Sequence, residues 1–243
     1  MLWGYKILNG AYKLIAVSDV EVDQYIQMGV SAQRIAVIPN GIELPSIGDI
    51  TKRNTIKSSF GIGESSKVIL YIGRLHKRKG IDFLIKSFSD LAQINNNLFL
   101  VIVGPDDGFK EELELLVNDL NLFNKVKFYG FIEDIKQAYQ DADIVVYPAA
   151  LEIFGLVPFE AILCGKPVIV TNDCGCGKLV KNADCGYLVE YGNIIDLREK
   201  MNYALYHPIE GNEKVKRGQK YICENLVWGQ IVKKVEEIYK NCV

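Results

Sequence analysis

A chain of 243 residues can bury one large core or two small ones. Hydrophobic residues make up 49% and charged residues 24%, the balance of an ordinary globular protein. A net charge of −2 leaves no excess positive field and argues against a generic nucleic-acid binder.

Residues 1–11 lack the charged start, apolar core and cleavage site of a signal peptide. A strand is predicted over 13–17 and a helix over 19–28. Ser18 and Glu21 form a capping box at its start, and Gly29 ends it. A second strand covers 34–38 and closes at Pro39-Asn40-Gly41. From 43 to 57 the pattern weakens around Pro45, Ser46 and Gly48, which predicts a linker. Apolar strands then follow at 68–72, 98–103, 126–129, 144–147, 168–171 and 187–189. Helices are expected at 81–94, 110–120, 132–140 and 158–164 between them, and at 196–206, 213–224 and 228–242 after them. Continuously apolar strands alternating with amphipathic helices imply an α/β, Rossmann-like parallel sheet with helices on both faces. In such sheets ligands bind beyond the carboxyl ends of the strands.

The most apolar stretch, 144–171, carries Glu152, Glu160 and three prolines at 148, 158 and 167. Each acid would cost about 2.5–3.5 kcal/mol inside a membrane helix, so no transmembrane segment is expected. In a buried setting the two acids are either pinned by structural partners or kept for a ligand. Pro158 opens a helix, which places Glu160 in its first turn and Glu152 in the preceding loop. Gly155 lets the backbone pass close to a neighbour, and free amides at a helix start suit an anion. The local geometry favours a ligand carrying hydroxyls and phosphate.

The segment Gly73-Arg74-Leu75-His76-Lys77-Arg78-Lys79-Gly80 follows a strand directly. It reads as a diphosphate clamp or as a solvated basic turn. There is no Walker loop, no G-x-G-x-x-G and no G-x-S-x-G, which demotes nucleotide hydrolases, nicotinamide or flavin enzymes and serine hydrolases. Asp141-Ala142-Asp143 resembles a metal-holding D-x-D but sits where a helix ends. His207 reads as inert. Six cysteines, at 164, 174, 176, 185, 223 and 242, form no C-x-x-C pair, so reduced thiols in a cytoplasmic protein are expected and the spacing is wrong for zinc.

Taken together these segments resemble the nucleotide-sugar-dependent "glycosyl transferases group 1" family, whose members are retaining enzymes of GT-B fold. The matching pieces are Val37-Ile38-Pro39-Asn40-Gly41-Ile42, Tyr71-Ile72-Gly73-Arg74 through Lys79-Gly80, Gly130-Phe131, the stretch 141–148, and Glu152-x7-Glu160 continuing into Cys164-Gly165-Lys166-Pro167-Val168. Residues 228–239 are similar to the family's closing helix.

The resemblance implies that Arg74 and Lys79, beside Gly73, hold the donor diphosphate and offset the leaving-group charge in place of a metal. It implies that Glu152 binds donor-sugar hydroxyls, with the backbone of Phe154, Gly155 and Leu156 near the sugar or phosphate. Glu160 would take the ribose hydroxyls, and Phe131 and Ile132 would face the base. No cofactor and no metal are implied, and the donor is a UDP- or GDP-sugar. Gly175-Cys176-Gly177-Lys178 departs from the paired glycines and glutamate usual there.

The resemblance implies that the chain corresponds only to the donor half, as a fragment, a truncated gene product or one subunit of a split enzyme. On that expectation residues 1–44 form the tail of the acceptor domain, 45–225 the donor domain, and 226–243 a helix crossing back. The alternative is a nucleotide-sugar-binding subunit inactive without a separate acceptor-binding partner. A further alternative is a sugar-nucleotide epimerase or phosphorylase of the same two-half architecture, and the phosphorylase would need a pyridoxal-phosphate lysine. Cytoplasmic location is expected, with peripheral attachment to the cytoplasmic face of a membrane through the missing half as a variant.

Overall fold

The computed structural model describes residues 7–8, 10–44, 56–132 and 135–241. Near the amino terminus, β1 (Leu14–Ala16) and β2 (Ile35–Val37) pair in parallel, Leu14 opposite Ile35 and Ala16 opposite Val37, across helix α1 (Asp19–Gln27). The capping box is only half realised. The Ser18 hydroxyl makes no cap bond and donates instead to the Ile153 carbonyl. Glu21 still reaches back, but to the Val17 amide at 2.7 Å. The serine is drawn away from its own helix by the loop that carries Glu152.

The apolar runs of the rest of the chain form one six-stranded parallel sheet. Its elements in order are α2 (Ile56–Ser59), β3 (Lys67–Ile72), α3 (Ile81–Ile94), β4 (Leu98–Val103), α4 (Lys110–Asp119), β5 (Val126–Tyr129), α5 (Ile135–Asp141), β6 (Ile144–Tyr147), α6 (Val157–Leu163), β7 (Val168–Thr171), α7 (Gly177–Asn182) and β8 (Tyr187–Val189). Helices α8 (Ile194–Tyr206), α9 (Pro208–Asn225) and α10 (Trp228–Lys240) follow. Successive side chains of a strand point to opposite faces. Along β3, Ile69 and Tyr71 join the core under α3, α4 and α8, while Val68, Leu70 and Ile72 join the core under α5, α6 and α9. Two buried faces explain why the strands are apolar throughout rather than alternating. Helix α3 shows the matching helical period, with Ile81, Leu84, Ile85, Phe88, Leu91 and Ala92 all buried.

The strand order is β5-β4-β3-β6-β7-β8. The chain therefore winds outward from β3 through β4 to β5, returns to the other side of β3, and winds outward again. The loops after β3 and β6 leave adjacent strands in opposite directions, and the crevice between them is the place where such sheets take ligands.

The sequence-based boundaries need four corrections. A short helix, α2, stands at the end of the predicted linker, whose residues 45–55 lie outside the described set. Helix α7 was not anticipated, since Gly175-Cys176-Gly177 masks its start. The predicted 132–140 helix begins at Ile135, residues 133–134 also lying outside the described set. Helix α9 starts at Pro208 rather than 213 and runs through Gly211 and Gly218, residues of poor helix propensity. Their lack of a side chain is what the packing uses. A Cβ on Gly218 would stand 2.7 Å from Ile162 Cγ2 and 2.8 Å from Cys185 Cβ, so α9 lies directly on α6. Close helix packing overrides propensity here.

Candidate active site

Two loops meet at the switch point. The first leaves β3 at Gly73 and makes one 3-10 turn, Lys77–Lys79, before α3. Gly80 closes that turn with φ +66°, and a Cβ there would overlap the Pro148 carbonyl oxygen of the second loop. The Ala150 amide donates to the Arg78 carbonyl at 3.0 Å, stitching the loops together. His76 is structural: its Nδ1 accepts from the Arg78 amide at 3.1 Å.

This approach places Lys79 against Glu152. Lys79 Nζ donates to Glu152 Oε2 and to Tyr147 Oη, the latter at 3.3 Å, and Tyr147 Oη donates to the same Glu152 oxygen at 2.8 Å. Burial raises the Glu152 carboxyl, but the hydrogen bonds from Lys79 and Tyr147 and the charge of Lys79 outweigh it, so the group is held below the ordinary carboxylate range. Gly155 sits against this pair, its missing Cβ position 3.0 Å from the Tyr147 ring and 3.3 Å from Glu152 Cγ. Phe154 turns into the core and packs on Phe159 with ring centroids 5.6 Å apart, whereas Leu156 is partly exposed. The Gly175 amide donates to the Glu152 carbonyl at 2.8 Å and backs the loop from behind.

Glu160 lies in the first turn of α6, with Pro158 opening the helix as expected. Its Oε2 accepts from Tyr139 Oη of α5 at 3.2 Å. Burial raises this carboxyl and the Tyr139 bond only partly opposes it, so Glu160 is held above the ordinary range, the reverse of Glu152. It opens on a cleft of about 410 Å³ lined also by Glu43, Leu44, Ile135, Lys136 and Tyr139. Phe131, at the end of β5, is 79% exposed, and Ile132 is half-buried.

Arg74 is turned elsewhere. Its Nη1 pairs with Asp107 Oδ2 at 2.8 Å in the loop after β4, where the arginine side chain is 65% exposed. The D-x-D acids lie at the opposite end of the sheet. Asp143 accepts from the Val68 amide at 2.7 Å, and Asp141 from the Lys57 amide at 2.8 Å. Both are spent on backbone donors, in keeping with a turn at a helix end. Tyr147, Tyr139 and Asp107 were not flagged by sequence reasoning. A tyrosine closing an apolar strand, or one inside an amphipathic helix, is indistinguishable from core until its hydroxyl is placed.

The sequence profile described as "Glycosyl transferases group 1" matches residues 52–241. The chain belongs to this family. It is 32% identical to an uncharacterized glycosyltransferase of Methanocaldococcus jannaschii over 85% of its own length and 54% of that protein. It is 28% identical to the D-inositol 3-phosphate glycosyltransferase of Paenarthrobacter aurescens over 98% of its length and 59% of the relative's. Among solved structures, Anabaena HepE in complex with UDP superimposes with a TM-score of 0.83 at 28% identity, covering 95% of this chain and 64% of HepE. The glycosyltransferase-family chain thus spans little more than half the length of these curated relatives. Its parallel sheet flanked by helices is that of the GT-B glycosyltransferases it matches. None of its described helices is long and apolar enough to cross a membrane.

Proposed function

We propose that the chain is the donor-binding half of a retaining GT-B glycosyltransferase that takes a UDP-sugar. The observation that carries this is the meeting of Lys79 and Glu152 at the switch point, with Glu160 opening on the neighbouring cleft. UDP is favoured over GDP because HepE, at 28% identity, holds UDP and UDP-glucose. Glu160 takes the ribose hydroxyls, Phe131 and Ile132 border the base, and Glu152 with the Phe154–Leu156 backbone receives the sugar. Lys79 and Arg74, beside Gly73, bind the diphosphate and offset the charge that grows on UDP as it leaves. Arg74 must first release Asp107. An exposed pair of this kind is worth about 0–1 kcal/mol, little against a doubly charged ligand.

The remaining assignments belong to the same proposal. Residues 1–44 belong to the acceptor domain, 45–225 form the donor domain, and 226–243 is the segment, with α10, that returns to the acceptor half. Cys164, Cys174, Cys176, Cys185 and Cys223 are thiols rather than disulfides, which suits a reducing, cytoplasmic location. A second reading is a donor-binding subunit that acts only with a separate acceptor-binding chain. Turnover of UDP-glucose by the isolated chain would rule out the second reading.

Calorimetric titration with UDP tests the clamp. Arg74→Ala and Lys79→Ala should each weaken binding by about 1–3 kcal/mol, the range for hydrogen bonds to charged groups. Unchanged affinity in both variants refutes it.

A further inference from the structure

We infer that each motif glutamate has its own positioning tyrosine, Tyr147 for Glu152 and Tyr139 for Glu160, and that Tyr147 keeps Glu152 in place once Lys79 turns to the diphosphate. The inference rests on the donor-site reading above and adds two residues to it. Tyr147 ends β6 with only 4% of its surface exposed, and its hydroxyl donates to Glu152 at 2.8 Å. Tyr139 comes from α5, is 1% exposed, and donates to Glu160 at 3.2 Å. The two tyrosines come from different elements, a strand end and a helix, yet each meets one glutamate.

The unliganded arrangement gives Lys79 two partners, Glu152 and Tyr147. A diphosphate carries more negative charge than one carboxylate, so a donor draws Lys79 away. Glu152 is half-buried, and losing its cation would leave it seeking another donor. Tyr147 supplies one without moving, because its ring is clamped between the β6 core and the Gly155 backbone. Burial, followed by the charge of Glu152, pushes the Tyr147 hydroxyl far above neutrality, so it stays a donor. For Tyr139 burial and then the charge of Glu160 act the same way. The other groups that sense Glu152 are the Tyr71 hydroxyl and the Cys176 thiol, both buried and pushed up, chiefly by that burial.

The test removes one oxygen at a time. Tyr147→Phe and Tyr139→Phe are compared with Glu152→Gln, Glu160→Gln and the wild-type chain by titration with UDP and with UDP-glucose, alongside thermal melting. Tyr147→Phe should leave UDP affinity within about twofold but lower the UDP-glucose to UDP preference at least about fivefold, the direction of Glu152→Gln. It should also shift the acid loss of UDP-glucose binding to higher pH, because Glu152 loses a donor; a purely structural defect moves no such midpoint. Tyr139→Phe should weaken UDP and UDP-glucose equally, about tenfold. Equal losses for both ligands in Tyr147→Phe, or an unmoved preference while Glu152→Gln changes it, overturn the inference and leave the donor site standing. If neither Gln variant changes either affinity, or the wild-type chain binds neither ligand, the donor-site reading fails and takes this one with it.

Discussion

Lys79 and Glu152, 73 residues apart in sequence, share one hydrogen bond at the carboxyl edge of the sheet, with side chains only 16% and 20% exposed. Partial burial makes this pair costly to break from one side, because the remaining charge stays desolvated. Lys79→Ala should lower unfolding stability by about 1–3 kcal/mol in a urea titration. Adding Glu152→Gln removes the stranded charge and should restore part of that stability while leaving UDP binding weak. If the double variant recovers both properties, Lys79 has no ligand role of its own.

The two glutamates should give opposite pH signatures. Glu152 is held below the ordinary value of 4.5, so its stabilising contribution is present above that value and lost as pH falls through its depressed one. Glu160 is held above 4.5, so its contribution is present below 4.5 and lost as pH rises through its raised value. At neutral pH Glu160→Gln should therefore stabilise the unliganded chain and Glu152→Gln destabilise it. Both effects should shrink in acid, as the carboxyls protonate, Glu160 before Glu152. Denaturant midpoints at neutral and at acid pH check the signs, and a Glu160→Gln variant less stable at neutral pH contradicts them.

Gly80→Ala should damage both fold and site. Its φ of +66° costs an L-residue about 1–2 kcal/mol, and the added methyl also overlaps the Pro148 carbonyl. Gly108 has φ +81° with nothing within 4 Å of a Cβ, so Gly108→Ala carries the backbone cost alone. The loss in Gly80→Ala should exceed that control and bring weaker UDP binding, since Lys79 precedes it. Equal melting temperatures for the two variants would mean that the two loops are not tightly packed.

Within helices, packing rather than propensity should decide the effect of glycine. In an open helix interior Gly→Ala stabilises by up to about 1 kcal/mol. Gly218→Ala should instead destabilise by about 1–3 kcal/mol, because its methyl meets Ile162 of α6 and Cys185 just before β8. Gly229 of α10 faces open space, and Gly229→Ala should be neutral or stabilising. Thermal melts of the pair settle the order.

Legibility followed the range of the interactions. The strands and most helices could be read because apolar runs and helical periodicity are local properties of 5 to 15 residues, roughly. The Glu152-x7-Glu160 motif was visible for the same reason, with Pro158 fixing which acid enters the helix. Boundaries failed where a distant contact overrode local preference, as at Gly211 and Gly218 in α9 or at Ser18, whose hydroxyl serves the Ile153 carbonyl.

By itself, then, the sequence determined the strands and most of the helices, the family, and which charged residues stand at the carboxyl ends of strands. Strand order belonged to the tertiary structure. Only the placement of β6 beside β3 brings residues 73–80 against 148–156, and so joins Lys79 to Glu152 and Tyr147. The same folding sends Arg74 to Asp107 and sets a tyrosine hydroxyl on each glutamate. Tyr147 and Glu152 are five residues apart, but the Arg74–Asp107 and Tyr139–Glu160 pairings join segments whose separation in space is fixed by the packing of what lies between them, and no local pattern encodes those.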